Sequence, residues 1–281
     1  MRAHVQACDL ASAATAEGER EAFVRDELVA VRQELQRRGV EVQDFHAGPL
    51  NDGQCRALAG SDFVAGDLMV MWQLLRFLDL ERQLLATLPE PLTDLLHRQV
   101  WIGTLDEIRR QSAPADSPLF VKPRYLKPFN GKRFKGQVLA SLAAVEATSW
   151  VPRGEEFICS EVVRWASEYR AYVRDSRIVG LHQYMPGIAG LDQLFPEMKP
   201  DLDVVEEAIR RLDAAGLSVA GYCLDFGRLD TGQTALVEAN DGFALTNYGL
   251  SAADYTDLHL ARWQEITGNR RIGSAPESRT P

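Results

Sequence analysis

Apolar residues in the first part of the chain recur with two alternating periods, one typical of helices and one typical of strands. Between residues 19 and 38 the apolar positions are spaced like one face of a helix. The predicted strands are 4–8, 40–45, 63–67 and 100–102. Further helices are predicted at 68–77 and 104–109. This alternation of helices and strands predicts a small α/β unit with a mainly parallel sheet.

Short apolar runs bounded by Gly and Asp dominate the second part of the chain and predict strands. The runs are 119–123, 157–163, 168–173, 178–181, 221–227 and 234–242. Helices are predicted at 201–215 and 255–266. Pro114 and Pro118 lie between the two parts and mark the predicted domain boundary. Together the two parts predict an α+β protein.

Three polar residues, Asp225, Glu238 and Asn240, interrupt strand segments that are otherwise apolar. A charged side chain inside a sheet is costly unless it is paired or bound to a metal. Glu238 and Asn240 are two residues apart, so they project from the same face of their strand. Oxygen ligands on adjacent strands suit Mg²⁺, which completes its shell with water and phosphate oxygens. The trio therefore predicts a magnesium site; the alternative for Asp225 is a cap of the turn before Gly227.

A basic segment follows the strand that ends at Lys122-Pro123. The segment runs from Arg124 to Gly136 and carries Lys127, Gly131, Lys132, Arg133 and Lys135. A Gly-containing, cation-rich loop after a strand suits the covering of a polyphosphate. Taken alone, the segment could also be a solvated basic hairpin. Its position before the polar strands favours the phosphate-binding interpretation.

The order of these pieces resembles the ATP-grasp superfamily of ligases and, within it, the small R2K clade. The resemblance covers residues 118–266, and five pieces carry it in order: Lys122-Pro123, 160–163, 168–170, Asp225 and 237–242. It implies an ATP-grasp fold with an N-terminal α/β (pre-ATP-grasp) domain. The expected domains are 1–117, an ATP-grasp module at 118–267 and a tail at 268–281. Within the module, we expect a small phosphate-covering subdomain at 119–165 and a metal-binding sheet at 166–250.

The same resemblance implies a role for each site residue, with ATP and Mg²⁺ as cofactors. The adenine is expected at Glu161, Val162 and Val163, and the ribose at Glu168. Lys122 and Lys135 are expected on the phosphates, although Lys132 could replace Lys135. Arg170 is expected to point at the γ-phosphate, and the implied magnesium ligands are Asp225, Glu238 and Asn240.

Structural alternatives stay open for several of these residues. Glu161 and Glu168 could be exposed strand carboxylates, and Arg170 could be an ion-pair partner of Glu168 or Asp225. Glu238 could be the structural partner of Arg170 or Lys122. These alternatives are geometric, so a structure can separate them.

The implied activity is an ATP-dependent carboxylate–amine ligase that forms an amide through an acyl phosphate, with Arg170 and Lys122 as the catalytic cations. Its substrates would be a small-molecule or peptide carboxylate and an amine, and a homodimer is one expected assembly. Three alternatives remain: an ATP-grasp kinase, a non-catalytic nucleotide-binding module, and an unrelated α+β protein with structural carboxylates.

Composition and charge also argue against some classes of partner. The net charge of −9 argues against a nucleic-acid partner, because phosphate backbones are held by clustered Lys and Arg. The sequence has no apolar stretch of membrane-spanning length and no apolar signal segment, so we expect a cytoplasmic protein without a membrane partner. The four cysteines lack metal-ligand spacing, and the five histidines form no triad or zinc pattern.

Overall fold

The computed structural model describes residues 1–7, 16–46, 50–111, 116–124, 136–146, 154–185 and 198–268, and the strands in these ranges form three β-sheets. We call them the N-terminal sheet, the small sheet and the large sheet. None of the helices in these ranges is long and apolar enough to cross a membrane.

The N-terminal sheet is parallel, as the alternating pattern predicts. β1 (Arg2–Ala7) lies in the centre, between β2 (Glu41–His46) and β3 (Phe63–Ala65). The accompanying helices are α1 (Ala16–Arg37), α2 (Asp52–Ala59) and α3 (Leu68–Phe77). Asp67 is the N-cap of helix α3, and its side chain accepts hydrogen bonds from the backbone nitrogens of Met69 and Val70. This cap satisfies two of the backbone donors that a helix start leaves without partners.

The small sheet is antiparallel, with the strand order β4, β7, β5, β6. These strands are β4 (Val100–Thr104), β5 (Leu119–Pro123), β6 (Gln137–Leu139) and β7 (Glu156–Glu161). Two short helices, α4 (Leu105–Arg110) and α5 (Leu142–Glu146), accompany them, and buried residues of both helices pack into the apolar core of this sheet.

The place of β4 corrects one prediction. The sequence assigns the strand at 100–102 to the N-terminal unit, but the structure pairs β4 with β7 along its whole length. Local pattern cannot reveal such a pairing, because the two strands lie more than fifty residues apart in the sequence. We therefore propose a domain boundary before Val100 instead of the expected boundary at 117, which would divide the small sheet.

The large sheet is also antiparallel, with the strand order β11, β10, β8, β9. Its strands are β8 (Trp165–Arg174), β9 (Arg177–Met185), β10 (Gly221–Leu229) and β11 (Thr234–Asp241). Helix α6 (Leu202–Ala214) and a 3₁₀ helix at Glu90–Leu96 cover one face. Helix α6 buries Val205, Ala208, Ile209 and Leu212, whose three- and four-residue spacing places them on one side. The opposite face of the sheet carries the polar residues described below.

The last described helix, α7 (Ala252–Ile266), packs with the N-terminal sheet although it lies at the other end of the chain. Its buried residues Leu258 and Trp263 share one apolar core with Val5 of β1 and Leu35 of α1. Leu245 and Leu250, from the loop before the helix, belong to the same core. The two ends of the described chain therefore form one packed unit.

Candidate active site

A cavity of about 530 Å³ opens between the small sheet and the large sheet. Its apolar wall includes Phe120, Val138 and Ile158 from the small sheet and Trp165 and Val237 from the large sheet. Its polar lining includes Lys122, Arg98, Glu161, Glu168, Glu238 and Asn240. The cavity therefore has an apolar part and a charged part, which is the division expected of a site for an amphipathic ligand.

The register of the large sheet brings the polar residues into one cross-strand row. Asp225 lies opposite Arg170 on one side and opposite Glu238 on the other. Residues directly opposite each other in an antiparallel pair project from the same face, so the three side chains meet. Asn240, two residues after Glu238, projects from this face as predicted.

Arg170 forms a buried bidentate ion pair with Asp225. Its Nε and one terminal nitrogen donate to the two carboxylate oxygens at 2.8 and 2.7 Å. Asp225 is 1% exposed, and burial raises the pKa of its carboxyl although Arg170 opposes the rise. Arg170 thus makes the ion pair that the sequence left open as an alternative to a γ-phosphate contact. Asp225 lies beneath the cavity wall.

Asn240 connects this buried pair to Glu238. Its amide nitrogen donates to Asp225 at 3.2 Å and to Glu238 at 3.3 Å. Asn240 and Glu238 both line the cavity. Two of the three predicted magnesium ligands therefore face the cavity, while the third supports them from below.

Lys122 joins the two sheets across the charged part of the cavity. Its ammonium donates to the Glu238 carboxylate, and the two side chains are 21% and 23% exposed. Burial would raise the pKa of Glu238, but the charge and the hydrogen bond of Lys122 hold it below its usual value. The contact with Lys122 therefore favours the ionised form of Glu238, which is the form that a metal ligand requires.

The other end of the cavity carries the residues expected at the nucleoside. Glu161 ends β7, and its carboxylate accepts a hydrogen bond from the Gln99 backbone nitrogen at 2.9 Å. Val162 and Val163 follow the strand and line the cavity. Val162 and Val138 are 45% and 56% exposed. Exposed aliphatic side chains in a concave site are available to contact an apolar ring.

Glu168, the residue expected at the ribose, lies on β8 and lines the same cavity. Burial raises the pKa of its carboxyl, and a hydrogen bond from the Tyr184 hydroxyl at 2.6 Å opposes the rise. Glu168 is thus a half-buried, hydrogen-bonded carboxylate, and the alternative of an exposed strand residue is wrong.

Arg98 and Trp165 are cavity residues that the sequence analysis missed. The Arg98 guanidinium lies 5.5 Å from the centre of the Trp165 ring and donates to the carbonyls of Leu96, Leu236 and Val237. The Trp165 ring needs the space above Gly227, where an added Cβ would lie 2.5 Å from it. No local motif marks either residue, so only the tertiary fold identifies them.

The loop at 242–250 reaches this polar face from the side of α7. Tyr248 stacks on Tyr184 with ring centres 5.0 Å apart and an angle of 18° between the planes. The Arg170 guanidinium lies 5.1 Å from the Tyr248 ring and 5.8 Å from the Tyr184 ring. From α1, the Glu27 carboxylate accepts a hydrogen bond from the Asn247 backbone, and burial raises the pKa of Glu27 to about 7. The N-terminal unit therefore contacts the loop that borders Arg170.

Lys135 and Lys132 lie outside the described residues, so the second phosphate lysine stays a prediction. Gly136, the next residue in the sequence, lines the cavity, and a Cβ added at this glycine would lie 3.4 Å from Lys122.

The donor set fits Mg²⁺. Glu238 and Asn240 offer a carboxylate and an amide, and Mg²⁺ is usually bound through one or two carboxylates together with water and phosphate oxygens. Among the described residues, no group of three His, Cys, Asp or Glu side chains could hold a metal by itself. A phosphate-bearing partner would therefore have to complete the coordination shell.

The fold and the cavity define an ATP-grasp protein, and comparison with known families confirms this class. The profile of the family described as ATP-grasp domain, R2K clade family 2, matches residues 95–258, more than half of the chain. The chain belongs to this family. No curated protein matches it.

Solved structures with the same fold include several ligases and synthetases. D-cycloserine synthetase DcsG superposes with a TM-score of 0.54 at 12% identity, covering 93% of this chain and 99% of that chain. N5-carboxyaminoimidazole synthetase from Staphylococcus aureus has a TM-score of 0.51 at 10% identity, covering 95% and 77%. D-alanine–D-alanine ligase from Bacillus anthracis, complexed with ATP, has a TM-score of 0.50 at 14% identity, covering 96% of each chain. Identities this low support the fold alone.

Proposed function

We propose that the protein is an ATP-dependent carboxylate–amine ligase that forms an amide through an acyl phosphate. The observation that carries the proposal is a polar cluster at the charged end of a cavity whose other end is apolar: Glu238 pairs with Lys122 and accepts a hydrogen bond from Asn240. A nucleoside triphosphate with bound Mg²⁺ has this same division of charge. Membership of the ATP-grasp family supports ATP as the nucleotide.

The nucleoside would occupy the apolar end. Its base would contact Val138 and the segment at Val162 and Val163, with Glu161 near the adenine amine. Glu168 would accept a hydrogen bond from the ribose. A buried carboxylate that accepts a ligand hydroxyl contributes a charge-assisted hydrogen bond, which is among the stronger polar contacts.

The triphosphate would occupy the charged end. Glu238 and Asn240 would hold Mg²⁺, which when bound neutralises charge on the phosphate oxygens. Asp225, named in the expected ligand trio, would act beneath them by holding Asn240 and Arg170 in place. Lys122, with Lys135 or Lys132, would supply the point charges on the phosphates. Arg98, which lines the cavity near Glu238 and Glu168, is a further cation at this site.

The chemistry would run in two displacements. An oxygen of the substrate carboxylate attacks the γ-phosphorus, and the bond to the β-phosphate oxygen breaks to release ADP. The amine nitrogen then attacks the carbonyl carbon of the acyl phosphate, phosphate leaves, and the nitrogen loses its proton. Positioning and charge stabilisation by the cavity residues suffice for both steps, so no protein nucleophile is required. The carboxylate could belong to a small molecule or a peptide.

Binding of Mg²⁺ and ATP is expected to stabilise the folded protein. At a free concentration one hundred times the dissociation constant, the free energy of unfolding should rise by about 2.7 kcal/mol. Thermal unfolding with and without millimolar Mg²⁺ and ATP measures this change. GTP in place of ATP is the control for the base. The absence of any shift with ATP would contradict the proposal.

Hydroxylamine is expected to trap the activated carboxylate. With ATP, Mg²⁺ and a panel of amino acids and short peptides as acids, the correct acid should give ADP and a hydroxamate in equal amounts. Hydroxylamine attacks an acyl phosphate in place of the natural amine. ADP release with a stable phosphorylated product and no hydroxamate would identify a kinase instead.

A further inference from the structure

Tyr184, on β9, lies between the nucleoside end of the cavity and the loop at 242–250. It lines the cavity, its hydroxyl is bonded to Glu168, and its ring is stacked on Tyr248. None of the steps proposed above uses this residue.

The hydroxyl of Tyr184 fixes how Glu168 can present its charge. It donates to one carboxylate oxygen, Oε2, at 2.6 Å, which is the short distance of a hydrogen bond to an ionised acceptor. Burial raises the pKa of Tyr184 well above its usual value, so the phenol keeps its proton and remains a donor. Because the Tyr184 hydroxyl takes one acceptor position of Oε2, Oε1 keeps more acceptor capacity for a bond from a ligand.

Contacts with Tyr248 and Arg170 restrict the ring of Tyr184 and therefore the position of its hydroxyl oxygen. The stack with Tyr248 and the nearby Arg170 guanidinium immobilise the ring. Arg170 is itself held by both oxygens of Asp225. A donor on an immobilised ring loses little rotational freedom on binding, so its orienting effect on Glu168 is available before any ligand arrives.

We propose that Tyr184 is a positioning residue that sets the recognition of the nucleotide ribose by orienting Glu168. This inference rests on the proposed function, because it takes the cavity as the ATP site. Without the Tyr184 hydroxyl, the Glu168 carboxylate can rotate and offers its oxygens to the ribose in several orientations. The protein should then still bind the base and the phosphates but should discriminate less between a ribose and a deoxyribose.

The test compares the affinities of ATP, 2′-deoxy-ATP and 3′-deoxy-ATP, each with Mg²⁺, by titration calorimetry. The wild-type protein should prefer ATP over at least one deoxynucleotide. In Tyr184→Phe this preference should fall about fivefold, the effect of one net hydrogen bond, through weaker binding of ATP. Affinity for the deoxynucleotide concerned should stay unchanged.

Two further variants separate this role from a structural one. Tyr222→Phe removes another buried phenol, bonded to Ser218 on the side of the large sheet that α6 covers, and should leave the preference unchanged. Glu168→Gln should reduce the preference, and adding Tyr184→Phe to it should cause no further loss, because the two residues act as one unit.

The outcomes are distinguishable. An unchanged preference in Tyr184→Phe, or fully additive effects of the two substitutions, would overturn the role of Tyr184 while leaving the ATP site intact. A wild-type protein that binds none of the three nucleotides would instead overturn the proposed function.

Discussion

Glu238→Gln is expected to lower ATP turnover about a hundredfold while the protein remains folded. Glutamine keeps the size of the side chain and one oxygen but removes the charge that would hold Mg²⁺. Substitution of a residue that only hydrogen-bonds to a metal ligand already lowers metal affinity or activity about ten- to a hundredfold. Stability should change little. The lost pairing with Lys122 is partly exposed, and Asp225 is relieved of a neighbouring negative charge.

The measurement is ADP formation at saturating Mg²⁺ and ATP, together with unfolding in urea for each variant. Glu207→Gln is the matched control, because Glu207 is paired with Arg211 on α6, outside the cavity lining. It should retain wild-type turnover. If Glu238→Gln unfolded the protein, Glu238 would be a structural partner of Lys122 and the metal assignment would be wrong.

Asp225→Asn is expected to reduce the free energy of unfolding by about 3–5 kcal/mol, because it leaves the Arg170 guanidinium buried without its carboxylate. Asp225 is 1% exposed and Arg170 is 8% exposed, so water can replace little of the lost interaction. The one oxygen that remains would have to serve both Arg170 and Asn240, so Asn240 should be held less firmly. We therefore expect weaker Mg²⁺-dependent binding of ATP in the fraction of protein that remains folded.

Asp241→Asn provides the comparison. Asp241 accepts two hydrogen bonds from Arg262, which is 2% exposed, and this second buried pair lies outside the cavity lining. Asp241→Asn should also reduce the free energy of unfolding, although Arg262 keeps its bond to Glu265, and it should leave the affinity for Mg²⁺ and ATP unchanged. Calorimetric titration of the folded proteins, with urea unfolding of both variants, checks the contrast. Equal affinities in the two variants would mean that Asp225 serves stability alone.

The elements whose pattern is local could be predicted from the sequence. The alternation at 40–45 and the helix at 201–215 correspond to β2 and α6 within a few residues. Glu238 and Asn240 project from one face because strand geometry alone requires it. The resemblance to the ATP-grasp superfamily supplied the fold class, which the family comparison confirms.

The side-chain contacts that could not be predicted from the sequence depend on the register between distant strands. The ion pair of Arg170 with Asp225 arises because β8 and β10 pair with these two residues directly opposite, although they are 55 positions apart. Nothing local to either strand encodes that alignment. Tyr184 was missed for a related reason: its bond to Glu168 requires the β8–β9 hairpin register, which shifts between Glu168 and Tyr169.

The core that α7 shares with β1 and α1 has a consequence for synthesis on the ribosome. β1 and α1 present apolar surfaces whose partners, Leu258 and Trp263, lie more than two hundred residues later in the sequence. Contacts of such large sequence separation form slowly, because the chain loses the entropy of closing a long loop before the contacts can stabilise it. Part of the apolar surface of the N-terminal sheet therefore stays open to water until this later segment has been made. Chaperone protection of the nascent chain should matter most during this interval.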